Sequence, residues 1–238
     1  MKIKIFKLLP FFLLVFSITG CDTGNSSGSD GEDTYNNAPI ICFGDSLTEG
    51  YGASKPFAID RDQSYPAFLQ KSVRVSVINA GVSGDTTADG LSRIKKDVLE
   101  KNPQLVIILL GGNNFLDLEA AINVKKDLQA MINMLRNKER KIYLASFIGD
   151  STWEAFYFDL FSEELESDLT VLLDDYKKIF SELIIENGDI GYIGNIWKNI
   201  GREKMSDLIH PNAEGYKIMA DNIFNEIKPH LKENNLLK

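Results

Sequence analysis

Histidine and cysteine are scarce: the 238-residue sequence holds two of each. No Cys/His cluster has metal-ligand spacing, so neither a metal nor another cofactor is expected. Positive charge is also short, with 26 Lys and Arg against 34 Asp and Glu and a formal net charge of −8. An acidic chain is a poor electrostatic match for nucleic acid or an anionic membrane face, and no nucleic-acid partner is expected. Long hydrophobic runs are missing as well. The run from Leu8 to about Ile18 is interrupted by Pro10 and is too short for a comfortable transmembrane helix. No motif block repeats.

What that first run does have is context. Lys2, Lys4 and Lys7 precede it with no acid among them, and Ile18-Thr19-Gly20-Cys21 follows. A basic start, a short apolar core and small residues before a cut make a secretory signal over residues 1–20. The cysteine at that position resembles the bacterial lipobox, which implies a mature chain beginning at Cys21 with acyl chains, palmitate among them, on its sulfur and amine. Two or more acyl chains give stable anchoring. Ordinary secretion with cleavage nearby is the competing reading. Asp22 to Asn37 is polar apart from Tyr35 and cannot bury enough apolar surface to order itself. Residues 21–37 therefore read as the lipidated cysteine and a tether, with a mean reach of about 20 Å. The expected location is the bacterial cell envelope, anchored to a membrane and facing the periplasm or exterior. Loss of residues 1–20 takes three lysines and no acid, moving the charge from −8 to −11, so anchoring has to come from lipid. With Cys21 used, Cys42 has no disulfide partner. It reads as a small buried hydrophobe, with a reactive thiol as the other reading.

Residues 38–238 are the right length for one domain with a substantial core. Ile40-Ile41-Cys42-Phe43 reads as a strand buried on both faces. It stops at Gly44-Asp45-Ser46, which suits a tight turn. Ligands bind at the carboxyl ends of strands in open α/β sheets, so Ser46 is a candidate nucleophile; the alternative is an ordinary turn serine. A serine needs a positioned base. His210 lies in Asp207-Leu208-Ile209-His210-Pro211. An aspartate three residues earlier can share one side of a helical turn with it. It can then fix the ring tautomer and leave the other nitrogen for the Ser46 proton. Turn and surface roles compete for both residues. His230, near a polar tail, reads as a surface residue.

Further strands are expected at Val73–Ala80, Leu105–Leu110, Ile142–Ile148 and about Ile190–Trp197. Gly81 and Gly84 punctuate the loop after the first of these, and Asp85-Thr86-Thr87 suits a helix start. Gly111-Gly112-Asn113 follows the next. Each block alone can be read as a tight turn that needs glycine. Leu128, Met131, Ile132 and Leu135 share one helical face, as do Tyr216, Met219, Ala220, Ile223 and Ile227. Both stripes read as core. Alternating strands and helices imply a parallel sheet covered on both faces.

Gly44-Asp45-Ser46-Leu47 together with Asp207-x-x-His210-Pro211 resembles the GDSL or SGNH hydrolases, in particular the branch of bacterial thioesterase I / lysophospholipase L1-type and arylesterase-like enzymes. Asn79-Ala80-Gly81-Val82-Ser83-Gly84-Asp85-Thr86-Thr87 and Leu110-Gly111-Gly112-Asn113-Asn114 are similar to two further family blocks, and the four span roughly residues 40 to 225. The resemblance implies a three-layer α/β/α flavodoxin-like fold with a five-stranded parallel sheet. It implies an oxyanion hole from the backbone N–H groups of Ser46 and Gly84 with the Asn113 amide, and Ser46, His210 and Asp207 as nucleophile, base and orienting acid. Asn114 departs from the family's usual aspartate.

The expected partner is a small-molecule or lipid acyl ester, and a monomer is expected. Residues 151–161 are dense in aromatics and follow the fourth strand, so they line an acyl pocket, form a lid over it or pack a helix onto the sheet. Acidic residues 154, 159, 163, 164, 166 and 168 read as a solvated face. Three functions stay open at this point. They are a lysophospholipase, thioesterase or arylesterase-like enzyme, a carbohydrate esterase removing acetyl groups, and a lipid-anchored binding protein on a hydrolase frame.

Overall fold

Apolar runs bounded by glycine and small polar residues become the strands of one sheet. They are β1 (Ile40–Gly44), β2 (Val77–Gly81), β3 (Leu105–Leu109), β4 (Lys141–Ala145) and β5 (Gly191–Ile193). The structure is a computed structural model that describes residues 37–149, 153–154 and 166–238. The signal, Cys21, most of the tether and most of the aromatic and acidic stretch at 151–164 lie outside the described residues. All pairings are parallel, in the order β2-β1-β3-β4-β5. β1 and β3 are buried at every position, as continuous apolar runs covered on both faces should be.

Helices described in full are α1 (Ser46–Glu49), α2 (Tyr65–Gln70), α3 (Thr87–Asp97), α4 (Gly112–Leu116), α5 (Ala121–Leu135), α6 (Glu166–Glu186) and α7 (Ala213–Glu233). α2 packs with α7, while α3, α5 and α6 pack in succession, giving the three-layer α/β/α arrangement with helices on both sides of the sheet. Leu128, Met131, Ile132 and Leu135 of α5 are all buried, as are Tyr216, Met219, Ala220, Ile223 and Ile227 of α7. Both stripes therefore face the core.

Several expectations shift. β4 ends at Ala145 rather than Ile148, and β5 ends at Ile193 rather than near Trp197. The strand expected from Val73 begins only at Val77, because Val73 bridges instead to Leu237 near the chain's end. Residues 207–210 form no helical turn; they sit in a bend pinched by an antiparallel Met205–Pro211 bridge.

The strand order fixes where a ligand can sit. The chain runs from β1 outward to β2, then returns to the other side of β1 for β3. The loops after β1 and β3 therefore diverge, and a crevice opens between them. The register aligns Gly44 with Gly81 and Leu109, so the loops leaving β1, β2 and β3 start at one level.

Candidate active site

Ser46 is the first residue of α1, and the Asp45 side chain caps that helix by accepting from the Leu47 N–H at 3.0 Å. At that position the Ser46 N–H has no intrahelical partner. Asp45 is 3% exposed. Burial pushes its pKa up to about 7, the Leu47 N–H opposes that, Asp85 adds to it and Arg93 opposes it.

His210 reaches Ser46 from the far end of the sequence. Its Nε2 lies 2.9 Å from Ser46 Oγ, and its Nδ1 lies 2.9 Å from Asp207 Oδ2 and 3.0 Å from Oδ1. Asp207 Oδ1 also accepts from the backbone N–H groups of Ile209 and His210 at 2.9 and 2.7 Å. This local side-chain-to-backbone turn replaces the expected helical turn and still brings both side chains together. Burial pushes the Asp207 carboxyl up, but the hydrogen bond and charge of His210 and the two N–H groups outweigh it and hold the pKa below the ordinary value. A charged Asp207 keeps the proton on Nδ1 and leaves the Nε2 lone pair for the serine hydroxyl.

Asn113, in α4, lines the same small crevice as Ser46 and His210. Its amide donates to the Asp85 carbonyl at 2.8 Å, and a carboxamide carries a second N–H. Gly84 does not line that crevice; it lies one residue before Asp85, with φ +87°, a conformation that favours glycine. His230 lies far along α7 and is half-buried; burial lowers its pKa. Cys42 is fully buried, and burial pushes its thiol up to about 12, so the inert reading holds.

Three supporting residues have no local signal in the sequence. Glu49 accepts from the N–H and hydroxyl of Ser83 at 2.7 and 2.5 Å and pairs with Arg61, which also donates to the Gly81 carbonyl at 3.0 Å. A side chain at Gly81 would collide with the Glu49 backbone, so glycine is what lets α1 lie over the end of β2. Arg93 pairs with Asp85 at 2.5 Å and Asp97 at 3.0 Å, donates to the Gly44 carbonyl at 2.8 Å and the Ala80 carbonyl at 2.9 Å, and stacks over Phe43. Burial raises the Asp85 carboxyl, with Arg93 opposing it. One guanidinium thus ties together the ends of β1 and β2 and the residue whose carbonyl holds Asn113.

Asn114 is fully buried. Its oxygen accepts from the Thr87 N–H at 2.9 Å, and its amide donates to Glu119 at 2.7 Å. An aspartate there would face the Glu119 carboxylate with no proton between them, so this neighbour accounts for the asparagine. Of the aromatic stretch, Trp153 is buried among Phe147 and Trp197, where it serves the core; Glu154 pairs with Lys177 at 2.8 Å. Among the described residues no group of three or more His, Cys, Asp or Glu is placed to hold a metal.

The model of the GDSL-like Lipase/Acylhydrolase family matches residues 42–218. "Esterase TesA" of Pseudomonas aeruginosa is 31% identical over 128 residues, which span 52% of this chain and 61% of that protein, less than two thirds of its length. "Arylesterase" of Vibrio mimicus is 25% identical over 81% of this chain and 89% of its own. A solved structure titled "Crystal Structure of TesA" superposes with a TM-score of 0.64 at 23% identity, covering 80% of this chain and 98% of that one; this likeness speaks for the fold.

Proposed function

The chain belongs to the GDSL-like Lipase/Acylhydrolase family of carboxylic ester hydrolases, and on that premise we propose that it hydrolyses acyl esters or thioesters through an acyl-enzyme on Ser46. The observation that carries this reading is the chain of contacts from Ser46 Oγ to His210 Nε2 and from His210 Nδ1 to Asp207, each 2.9 Å. Ser46 attacks the carbonyl carbon while His210 takes its proton. Asp207 holds the ring and stabilises the imidazolium. The N–H groups of Ser46 and Gly84 and the Asn113 amide take up the oxyanion. His210 then protonates the leaving group, and water repeats the sequence to release the acid.

Lipidation at Cys21 and anchoring in the cell envelope belong to the same proposal. Their support is the sequence before residue 38, and the domain limits 1–20, 21–37 and 38–238 follow from it, with the folded domain acting as a monomer. Sixteen tether residues give the enzyme access to acyl lipids near its anchor.

The test is hydrolysis of nitrophenyl esters from two-carbon to sixteen-carbon acyl chains by the full chain and its Ser46→Ala and Asn113→Ala variants. Activity on medium or long chains that vanishes with Ser46→Ala is expected. Asn113→Ala should retain a rate lower by roughly 100- to 1000-fold. A sharp optimum at acetate would assign the enzyme to sugar deacetylation instead. Turnover that survives Ser46→Ala would overturn the mechanism.

A further inference from the structure

A second and larger space adjoins the Ser46 crevice. It is an open groove of about 490 Å³ lined by Tyr51, Phe57, Asp207, Leu208, Ile209 and His210. The crevice at Ser46 has only about 10 Å³ of free volume, room for one oxygen-sized group. The two spaces share Ile209 and His210. Asn113 and Leu116 line only the crevice, whereas Tyr51, Phe57 and Leu208 line only the groove. Asp207 and His210, the carboxylate and imidazole in the groove wall, are hydrogen-bonded to each other. The remaining four side chains are aromatic or aliphatic.

Two of these four are held out in water. Phe57 is 78% exposed and Leu208 45%. Phe57 also has φ +61°, a conformation that costs a bulky residue free energy and persists only where the surroundings impose it. Here a small loop imposes it. Tyr51 and Ile59 form an antiparallel bridge, and the Gly52 N–H donates to the Ala58 carbonyl at 2.8 Å. Leu208 sits in the bend between Asp207 and His210. The fold gains little from either exposed side chain, whereas a ligand lying in the groove would cover both.

The chemistry decides which part of the substrate lies there. As the Ser46 Oγ–carbon bond forms, the serine proton passes to His210 Nε2. As the carbon–oxygen or carbon–sulfur bond breaks, the departing atom takes that same proton and leaves as a neutral alcohol or thiol. The departing atom must therefore lie beside His210 Nε2, while the carbonyl oxygen lies toward Ser46 N–H and Asn113. The space that continues past His210 is the groove. We propose that this groove is the leaving-group subsite and that it selects esters whose alcohol or thiol carries an apolar, ring-sized portion. The proposal rests on Ser46 being the nucleophile. A polyhydroxylated leaving group would lose its water there and find few partners.

The test compares benzyl butanoate with ethyl butanoate, two alkyl esters that share an acyl group and differ by one ring. kcat/KM is the quantity to read, because it reports acylation, the step in which the leaving group is present. Phe57→Gly removes the ring and suits the positive φ; Leu208→Ala supplies an independent variant. Each should lower kcat/KM for the benzyl ester about tenfold and leave the ethyl ester within about twofold. Equal loss on both esters would overturn the assignment. So would a loss that follows acyl length when ethyl octanoate replaces ethyl butanoate, which would make the groove the acyl subsite. A loss seen only with substrate in phosphatidylglycerol vesicles would make Phe57 and Leu208 a membrane contact instead. Binding of 2-naphthol, read by its fluorescence, tests the groove without turnover. About tenfold weaker binding to Phe57→Gly is expected, and unchanged binding contradicts the subsite. Intact 2-naphthol binding with no Ser46-dependent hydrolysis of any ester would overturn the acyl-enzyme reading and spare the groove.

Discussion

Asp45 carries a cost that the residue beside it explains. Its carboxyl caps α1 just before Ser46 and is buried, which raises its pKa to about 7 from an ordinary 3.8. In the unfolded chain the proton leaves near pH 4, while the folded protein holds it until about pH 7. The folded state therefore binds more protons across that window, and stability falls as pH rises through it, by at most on the order of 4 kcal/mol. Asp45→Asn keeps an acceptor for the Leu47 N–H and removes the titration. Urea unfolding between pH 4 and 8 should show wild-type stability declining relative to the variant; parallel profiles would refute this. At the residue scale the sequence was informative where chemistry forces a residue type. Of the two histidines, His210 stood in an Asp-x-x-His-Pro block, and the structure puts it 2.9 Å from Ser46. Glu49, Arg61 and Arg93 were not legible, because their hydrogen bonds to Ser83 and to the carbonyls of Gly44, Ala80 and Gly81 join segments distant in sequence and leave no local pattern.

Elements were legible from their periodicity and their caps. The start of α3 shows why: Thr86 accepts from the Asp89 N–H, and Asp89 answers to the Thr86 N–H, a reciprocal cap that ties the helix start to its first turn. Asn114 then connects that helix start to Glu119 after α4. Asn114→Asp should destabilise the protein by on the order of 3 kcal/mol, since it sets an unpaired buried charge against Glu119. Adding Glu119→Gln should recover most of the loss, because the new amide donates to the new carboxylate. Thermal unfolding of the two single variants and the double variant decides it, and strict additivity would contradict the pairing. The Asp207–His210 pairing was argued through a helical turn, and the structure reaches it through a bend for a physical reason. The spacing of three suits a helical turn and an aspartate-capped bend alike, and the bridge from Met205 to Pro211 selects the bend.

The assembled molecule places three βα loops and the Asp207–His210 bend at one edge of the sheet, beside the point where the strand order reverses. Alternation of strands and helices made the parallel sheet legible, and the family resemblance implied its five strands; the strand order was not legible, since it depends on contacts between distant segments. At this scale the anchor is tested by growing cells with radiolabelled palmitate. The full chain should incorporate label and stay with the membrane, and Cys21→Ser should do neither; label retained by Cys21→Ser would refute lipidation there. The central claim, that Ser46 is a nucleophile activated by His210, has a more direct measurement. Treating the full chain with a fluorophosphonate and locating the adduct by peptide mass spectrometry reads the serine itself, whatever the natural substrate. The account predicts one adduct, on Ser46, abolished by Ser46→Ala and slowed at least a hundredfold by His210→Ala. An unlabelled Ser46, or labelling as fast without His210 as with it, would contradict it.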